Sequence, residues 1–269
     1  MLIDTHCHLD AAEFDDDRHA QILAATRAGV QQMVVPAVSK DNFQAVIDLS
    51  LQYTQCSFAL GWHPLYVDAA QPNNLTHLRQ LVAERQNSPA LVAVGEIGLD
   101  FFVPSHNKET QIYFFIEQLK IAQAFDLPVI LHVRKAIDDV LKCLRRYPVC
   151  GGIAHAFNGS VQQAEAFTKL GFKLGFGGAM TYDRALKIRA LATQLDLSAI
   201  VLETDAPDIP PEWVGNNGKN SPKELVKIAQ VLADLRGVSV SQIIEITRKN
   251  STHILPKLAT LCTPLEVLH

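Results

Sequence analysis

Met1-Leu-Ile-Asp-Thr-His-Cys-His-Leu-Asp10 opens the chain, and a strand period laid on it bears on both the fold and the chemistry. Leu2 and Ile3 make a short apolar start that runs into Asp4, His6 and His8. Side chains two apart on a strand share a face, so His6 and His8 stand together while Cys7 points away. Two imidazoles converging at a strand end are half of a metal site. A pair of partly exposed histidines near an N-terminus would look the same, so further ligands must reach the same place from elsewhere.

Beyond this strand, short apolar runs alternate with helical patterns. The runs fall at 32–36, 57–60, 91–94, 128–131, 152–154, 172–176 and 200–202. Helical patterns follow at 16–28, 40–52, 74–86, 108–125, 136–146, 161–170, 184–195 and 222–236, with Gly29 and Gly171 closing two of them. A last helix at 239–254 is capped by Ser239. Short β-branched strands alternating with amphipathic helices imply a parallel sheet. Eight such units in 269 residues match a single (β/α)8 TIM-type barrel with an extra C-terminal helix, one domain over 1–269. A doubly wound open sheet is the other α/β arrangement, but the first βα turn lacks its Gly-rich dinucleotide fingerprint.

The composition, 48% hydrophobic and 19% charged, suits a globular protein with a sizeable core. No stretch is long and apolar enough to span a membrane. Asp4 and His6 stand where a signal peptide needs a basic start and an apolar core, so a cytoplasmic protein is expected. The five cysteines, Cys7, Cys56, Cys143, Cys150 and Cys262, are scattered, without a C-x-x-C pair, and read as reduced thiols. A net charge of −4 lacks the footprint of a protein that coats duplex nucleic acid. It still allows an enzyme acting on a strand end or a small phosphate ester, where bound cations supply local positive charge.

In a parallel barrel the site lies at the C-terminal ends of the strands. Of the ten histidines, His6, His8, His63, His132 and His155 fall at such ends, on strands one, three, five and six. His19, His77, His106, His253 and His269 fall in helices or loops and read as surface. Glu96 on strand four and Asp205 on strand eight share the strand-end position. Any one of these residues could be a hydrogen-bonded core group or a capping carboxylate. Burying His6, His8, Glu96, His132, His155 and Asp205 together without a cation would be strongly unfavourable. That set exceeds what one tetrahedral ion needs and favours two divalent ions bridged by Glu96. Such a pair would acidify a bridging water and clamp an oxyanion. Magnesium, manganese and zinc all suit these donors.

Asp4-Thr-His-Cys-His8, Gly61-Trp-His-Pro64, Gly95-Glu-Ile-Gly-Leu-Asp100, Leu131-His-Val-Arg134, His155-Ala-Phe-Asn-Gly159 and Glu203-Thr-Asp-Ala-Pro207 occur in this order. Together they resemble the TatD family of metal-dependent hydrolases, within the amidohydrolase superfamily. The run through Asp208 is most similar to the YjjV-like branch. The resemblance implies a somewhat distorted barrel, a binuclear centre and, as in several members, magnesium-dependent deoxyribonuclease activity. It implies one ion on His6, His8, Glu96 and Asp205 and a second on Glu96, His132 and His155. Relatives that bridge their metals with a modified lysine need a lysine where this chain has Glu96. Phe101 departs from the family pattern, standing where the nucleases commonly carry an aromatic hydroxyl.

The expected reaction is hydrolysis of a phosphodiester by a metal-bridging hydroxide, with Asp205 as the catalytic proton acceptor. DNA ends or a small phosphate ester would be the substrate. The chain would work as a monomer, with no obligate protein partner. The same centre could hydrolyse a small ester or amide, including an aminoacyl ester; a scaffold that binds nucleic acid without cleaving it is the most distant reading. His63 is expected to touch a substrate phosphate, or to brace its loop by a hydrogen bond. Arg134 could fork onto a phosphate or pair with Asp138. Glu203 could orient a ligand from behind, and Trp62, Phe102, Phe157 and Tyr182 could stack a base. Asp15-Asp16-Asp17 reads as a helix-opening, capping run. Gly175-Phe-Gly-Gly178 reads as the bend after strand seven, and Gly215-Asn-Asn-Gly-Lys-Asn220 as a polar loop over the site.

Overall fold

Strands β1 (Leu2–Asp4), β2 (Val30–Pro36), β3 (Cys56–Leu60), β4 (Leu91–Asp100), β5 (Val129–Arg134), β6 (Gly152–Ala154), β7 (Phe172–Phe176) and β8 (Ile200–Leu202) pair in parallel in sequence order. They belong to a computed structural model that describes residues 1–261; Cys262 and His269 lie outside the described residues. Helices α1 (Arg18–Ala28), α2 (Phe43–Gln52), α3 (Pro72–Arg85), α4 (Lys108–Ala124), α5 (Ile137–Arg146), α6 (Val161–Lys169), α7 (Leu186–Gln194) and α8 (Leu225–Arg236) each follow a strand, completing a (β/α)8 barrel. Two more, α9 (Val240–Ile254) and α10 (Lys257–Leu261), follow it. No helix among the described residues is long and apolar enough to cross a membrane.

The ring closes between β8 and β1 without a regular ladder. Thr5 N–H donates to Leu202 O at 3.1 Å and Asp205 N–H to His6 O at 2.9 Å. The buried Asp4 carboxylate completes the seam, accepting the Thr204 amide at 3.0 Å and the Thr204 hydroxyl at 2.5 Å. Burial pushes the Asp4 carboxyl up to about 7.

Inside the barrel, Ile3, Val34, Ala59, Val92, Ile130, Ile153 and Val201 form one apolar cluster with Ile254, Leu255 and Leu258. These last three stopper the lower mouth. Lys257 beside them donates to Gln86 O and Ser88 O, just before the start of β4. The larger core, with Phe14, Phe58, Phe114, Phe115, Phe167 and Phe176 fully buried, lies outside the sheet against the helices. The two-residue strand period then sets the site. One step above Ile130, Ile153 and Val201 come His132, His155 and Glu203.

Several boundaries differ from the sequence expectation. β4 does not stop at Val94, because Ile97 to Asp100 go on pairing with Leu131 to Arg134 of β5, which itself runs past Leu131. Gly98 permits this approach, since a Cβ there would lie 1.9 Å from His132 O. α1 starts at Arg18 rather than Asp16, after a 3-10 turn at Ala12–Phe14. The Asp17 carboxylate does not cap it; it holds Gln21 Nε2 at 2.7 Å and Lys219 Nζ at 2.9 Å. Ser239 caps α9 as expected, accepting from Gln242 N. The loop at 215–220 packs down rather than over the site. Lys219 is tied to Asp17, and the buried Asn220 side chain donates to Thr204 O, Asp208 O and Ile209 O.

Because Leu255 is fully buried in the stopper, Leu255→Ala is expected to cost about 2–5 kcal/mol of stability by urea denaturation. The turnover number of the folded fraction should stay at the wild-type value, since the substitution lies at the mouth opposite the site.

Candidate metal centre

Glu96 is the middle of the site, 2% exposed, and its two carboxylate oxygens face different groups. Oε2 lies 3.3 Å from His6 Nε2 and 3.6 Å from His8 Nε2. Asp205 Oδ1 comes to the same point, 3.4 Å from His6 Nε2 and 3.7 Å from His8 Nε2, which are themselves 3.2 Å apart. Oε1 lies 2.8 Å from His155 Nε2, 3.0 Å from His132 Nδ1 and 3.5 Å from His63 Nε2. The structure thus brings together the six residues singled out in the sequence and adds His63 to their circle. Three groups have ligand atoms close enough to hold an ion: His6 with His8 and Glu96, His6 with His155 and Asp205, and His63 with Glu96 and His132.

Hydrogen bonds on the far side of each ring sort the histidines. His132 Nε2 lies 3.0 Å from Asp100 Oδ2, a carboxylate that can only accept, so the ring proton sits there. Nδ1 meets a second carboxylate, Glu96 Oε1, at 3.0 Å. Burial works to lower the ring, but Asp100 on one nitrogen and Glu96 on the other outweigh it and raise it, and a bound cation would take the place of the Nδ1 proton. His63 is arranged the opposite way. The Leu65 amide donates to its Nδ1 at 3.2 Å, so Nε2 carries the proton and points a donor toward Glu96 and the cleft. Asp100 also accepts the Phe102 amide on its other oxygen at 2.8 Å, and Gln111 brackets its backbone from α4. Asp100 closes the Gly95–Asp100 motif but is absent from the residues singled out in the sequence; its signals are that place and the even, four-residue spacing from Glu96 along one strand.

Glu203 stands behind His155, with Oε1 3.9 Å from its Nδ1 and accepting the Ala156 amide at 2.5 Å. Gly175 on β7 makes room for it, as a Cβ there would meet Oε2 at 2.0 Å. Ala156 (φ 45°) and Asp205 (φ 57°) hold left-handed backbone, a local cost that directs the turns after β6 and β8 into the site.

The electrostatics follow from burial. Desolvation pushes His63 down to about 3 and holds His6 well below the usual imidazole value, so both are neutral. Burial works to raise Glu96, but His155 above all, with the hydrogen bond from His132, outweighs it and holds the carboxyl well below its usual range. His155 rises to about 10 against burial because Glu96, Asp205 and Glu203 surround it. Burial lifts Glu203 to about 8 and raises Asp205. Imidazole nitrogens and carboxylate oxygens converging within a few ångströms are the donor set of a borderline divalent cation, which would displace the protons that His155 and His132 otherwise hold between these carboxylates.

The centre floors a cleft of about 990 Å³, lined by His8, Glu96, His132, His155 and Asp205 below and by Asp10, Asp41, Tyr66, Arg134 and Asp208 around it. Arg134 does not pair with Asp138, which accepts instead from Gln163 Nε2 at 2.9 Å. Of the aromatic residues considered as base stackers, Trp62 and Phe157 are buried. Tyr182 spends its hydroxyl on Pro210 O at 3.0 Å, and Phe102 alone of the four is exposed.

Such a centre at the strand ends of a (β/α)8 barrel defines a metal-dependent hydrolase. The chain belongs to the family described as TatD related DNase, whose sequence profile matches residues 3–256. It is 41% identical over 253 residues to the uncharacterized metal-dependent hydrolase YjjV of Escherichia coli (strain K12), covering 93% of this chain and 96% of that one. It is 30% identical over 270 residues to deoxyribonuclease TATDN3 of Homo sapiens, covering 97% and 96%. The crystal structure of the Escherichia coli YjjV protein superposes with a TM-score of 0.90 at 39% identity, covering 95% of this chain and 98% of that one. An organophosphorus hydrolase mutant from Deinococcus radiodurans, at 11% identity and a TM-score of 0.64 over 94% of this chain and 92% of that one, shares the fold.

Because Asp100 fixes the proton of His132, Asp100→Ala is expected to weaken metal binding about 10- to 100-fold. Calorimetric titration of the metal-free protein with zinc or manganese would measure it, and wild-type affinity would remove Asp100 from the site.

Proposed function

We propose that this hydrolase is a phosphodiesterase that trims DNA from an end, using two divalent ions. The observation that carries the reading is Glu96, whose oxygens face two separate donor groups. His6, His8, Asp205 and Glu96 Oε2 would hold one ion; Glu96 Oε1, His132 and His155 would hold the other. The family description and the human relative's name supply the DNase part of the proposal.

When bound, the ions would supply Lewis acidity and a water made acidic enough to attack at neutral pH. The chain's own groups do the rest. Asp205, buried beside His6 and His8 on the floor of the cleft, takes the proton of the attacking water on a carboxylate oxygen and returns it to the leaving group. His63 offers its Nε2–H to a phosphate oxygen. Arg134, exposed at the rim, offers guanidinium N–H groups to the same phosphate or the next.

Hydrolysis of a small ester or amide is the second reading, favoured by the charge of the cleft wall. Asp10, Glu13, Asp41 and Asp208 face Arg134 as the one lysine or arginine in the lining among the described residues. A long polyanion gains little from that wall.

The protein should shorten an end-labelled single-stranded DNA oligonucleotide with magnesium, manganese or zinc and stop when EDTA is added. Glu96→Ala should lose both activity and metal. Asp205→Asn should fold normally and lower kcat by about 10²- to 10⁴-fold. Loss of activity in both His63→Ala and Arg134→Ala with metals retained would support a phosphate substrate. No trimming by a protein that binds two ions per chain would move the assignment to small esters and amides.

A further inference from the structure

Arg134 ends β5 at the rim of the cleft, and its guanidinium lies 3.7 Å above the centre of the Phe102 ring. No carboxylate among the described residues pairs with Arg134, unlike Arg18 with Asp15 or Arg189 with Asp183. Phe102 remains 51% exposed although one face is covered. A guanidinium without a close carboxylate partner, its charge felt by the Asp100 carboxylate below, thus lies flat on a half-exposed phenyl ring at the mouth of the cleft.

The stack is also held in place relative to the centre. Asp100 holds His132 through Oδ2 at 3.0 Å and the Phe102 amide through Oδ1 at 2.8 Å, so one carboxylate fixes both a ligand and the rim. Farther along the same loop, Asp68 receives His106 Nδ1 at 2.8 Å and the Asn107 amide at 3.2 Å. This clips the loop to the neighbouring segment after β3 that carries Tyr66, itself 48% exposed and lining the cleft.

We propose that the Arg134–Phe102 stack is a platform for the terminal base of a single-stranded nucleic acid, setting which phosphodiester reaches the centre. The assignment rests on the phosphodiesterase reading and deepens it. A base is a flat π-surface that extends a cation–π stack, while the guanidinium edge stays free for the adjoining phosphate. The platform gives an end-recognising grip without a basic groove, which suits a chain of net charge −4. Arg134→Lys keeps the charge and removes the plane, and Phe102→Leu keeps the apolar bulk and removes the ring.

The test compares fluorescently labelled single-stranded oligonucleotides with normal ends and with an abasic residue at one end or the other. Affinity is read by anisotropy in EDTA and KM in magnesium. The wild type is expected to favour the base-bearing end about tenfold, in line with the strength of one base stack. Phe102→Leu and Arg134→Lys should each bring that ratio close to one, and Phe102→Tyr should restore it. A wild type indifferent to the base, or either disabling variant retaining the tenfold ratio, overturns the platform. Phe102-dependent base preference in EDTA without any cleavage in metal would keep the platform and overturn the phosphodiesterase reading. A protein that neither binds nor cleaves either oligonucleotide would overturn both.

Discussion

A carboxylate sealed from water must have both oxygens answered, and Glu96 is that carboxylate here. Imidazoles from four strand ends surround it, His6 and His8 after β1, His63 after β3, His132 on β5 and His155 after β6. Their spacing is imposed by the barrel rather than by any local turn. Each of these side chains stands one strand period above an apolar interior residue, or on the short extension beyond its strand. The rings therefore converge because the wall beneath them is closed and packed. The C-terminal stopper, the Asp4–Thr204 seam and the interior apolar cluster thus serve the same arrangement from below and from the side.

Most of this is legible in the sequence for a simple reason. Strand ends in a parallel barrel are known in advance to face one place, so histidines and acids at those ends can be grouped without knowing any distance. The family motifs add the rest of the ligand pattern. What is not legible depends on distances the period does not encode. Asp100 belongs to the site only because β4 continues beyond Val94 and stays paired with β5. Asp17 has the place of a cap at a helix start, whereas its partner Lys219 lies 202 residues away. Arg134 and Asp138 have helical spacing, but Arg134 is still on the strand, where that spacing does not bring side chains together.

Two neighbouring histidines show how their partners divide similar groups between different tasks. His63 and His132 lie with ring centres 4.3 Å apart. A backbone amide turns the first into a hydrogen-bond donor, and Asp100 holds the second by Nε2 so that its Nδ1 faces Glu96. Both ring orientations are fixed before any substrate arrives. This is preorganisation in its physical sense: the orientation cost is met during folding and not during turnover.

The seam between β1 and β8 has a consequence for how the centre comes into being. His6 and Asp205 meet only across that seam, and the Asp4–Thr204 contact spans 200 residues of chain. A growing polypeptide therefore cannot assemble the complete His6, His8, Glu96 and Asp205 cluster until β8 has been made. The stopper beneath the barrel comes later still, from residues 254–258. Contacts of such long separation form slowly and late. Assembly of that cluster is consequently a report on completed topology.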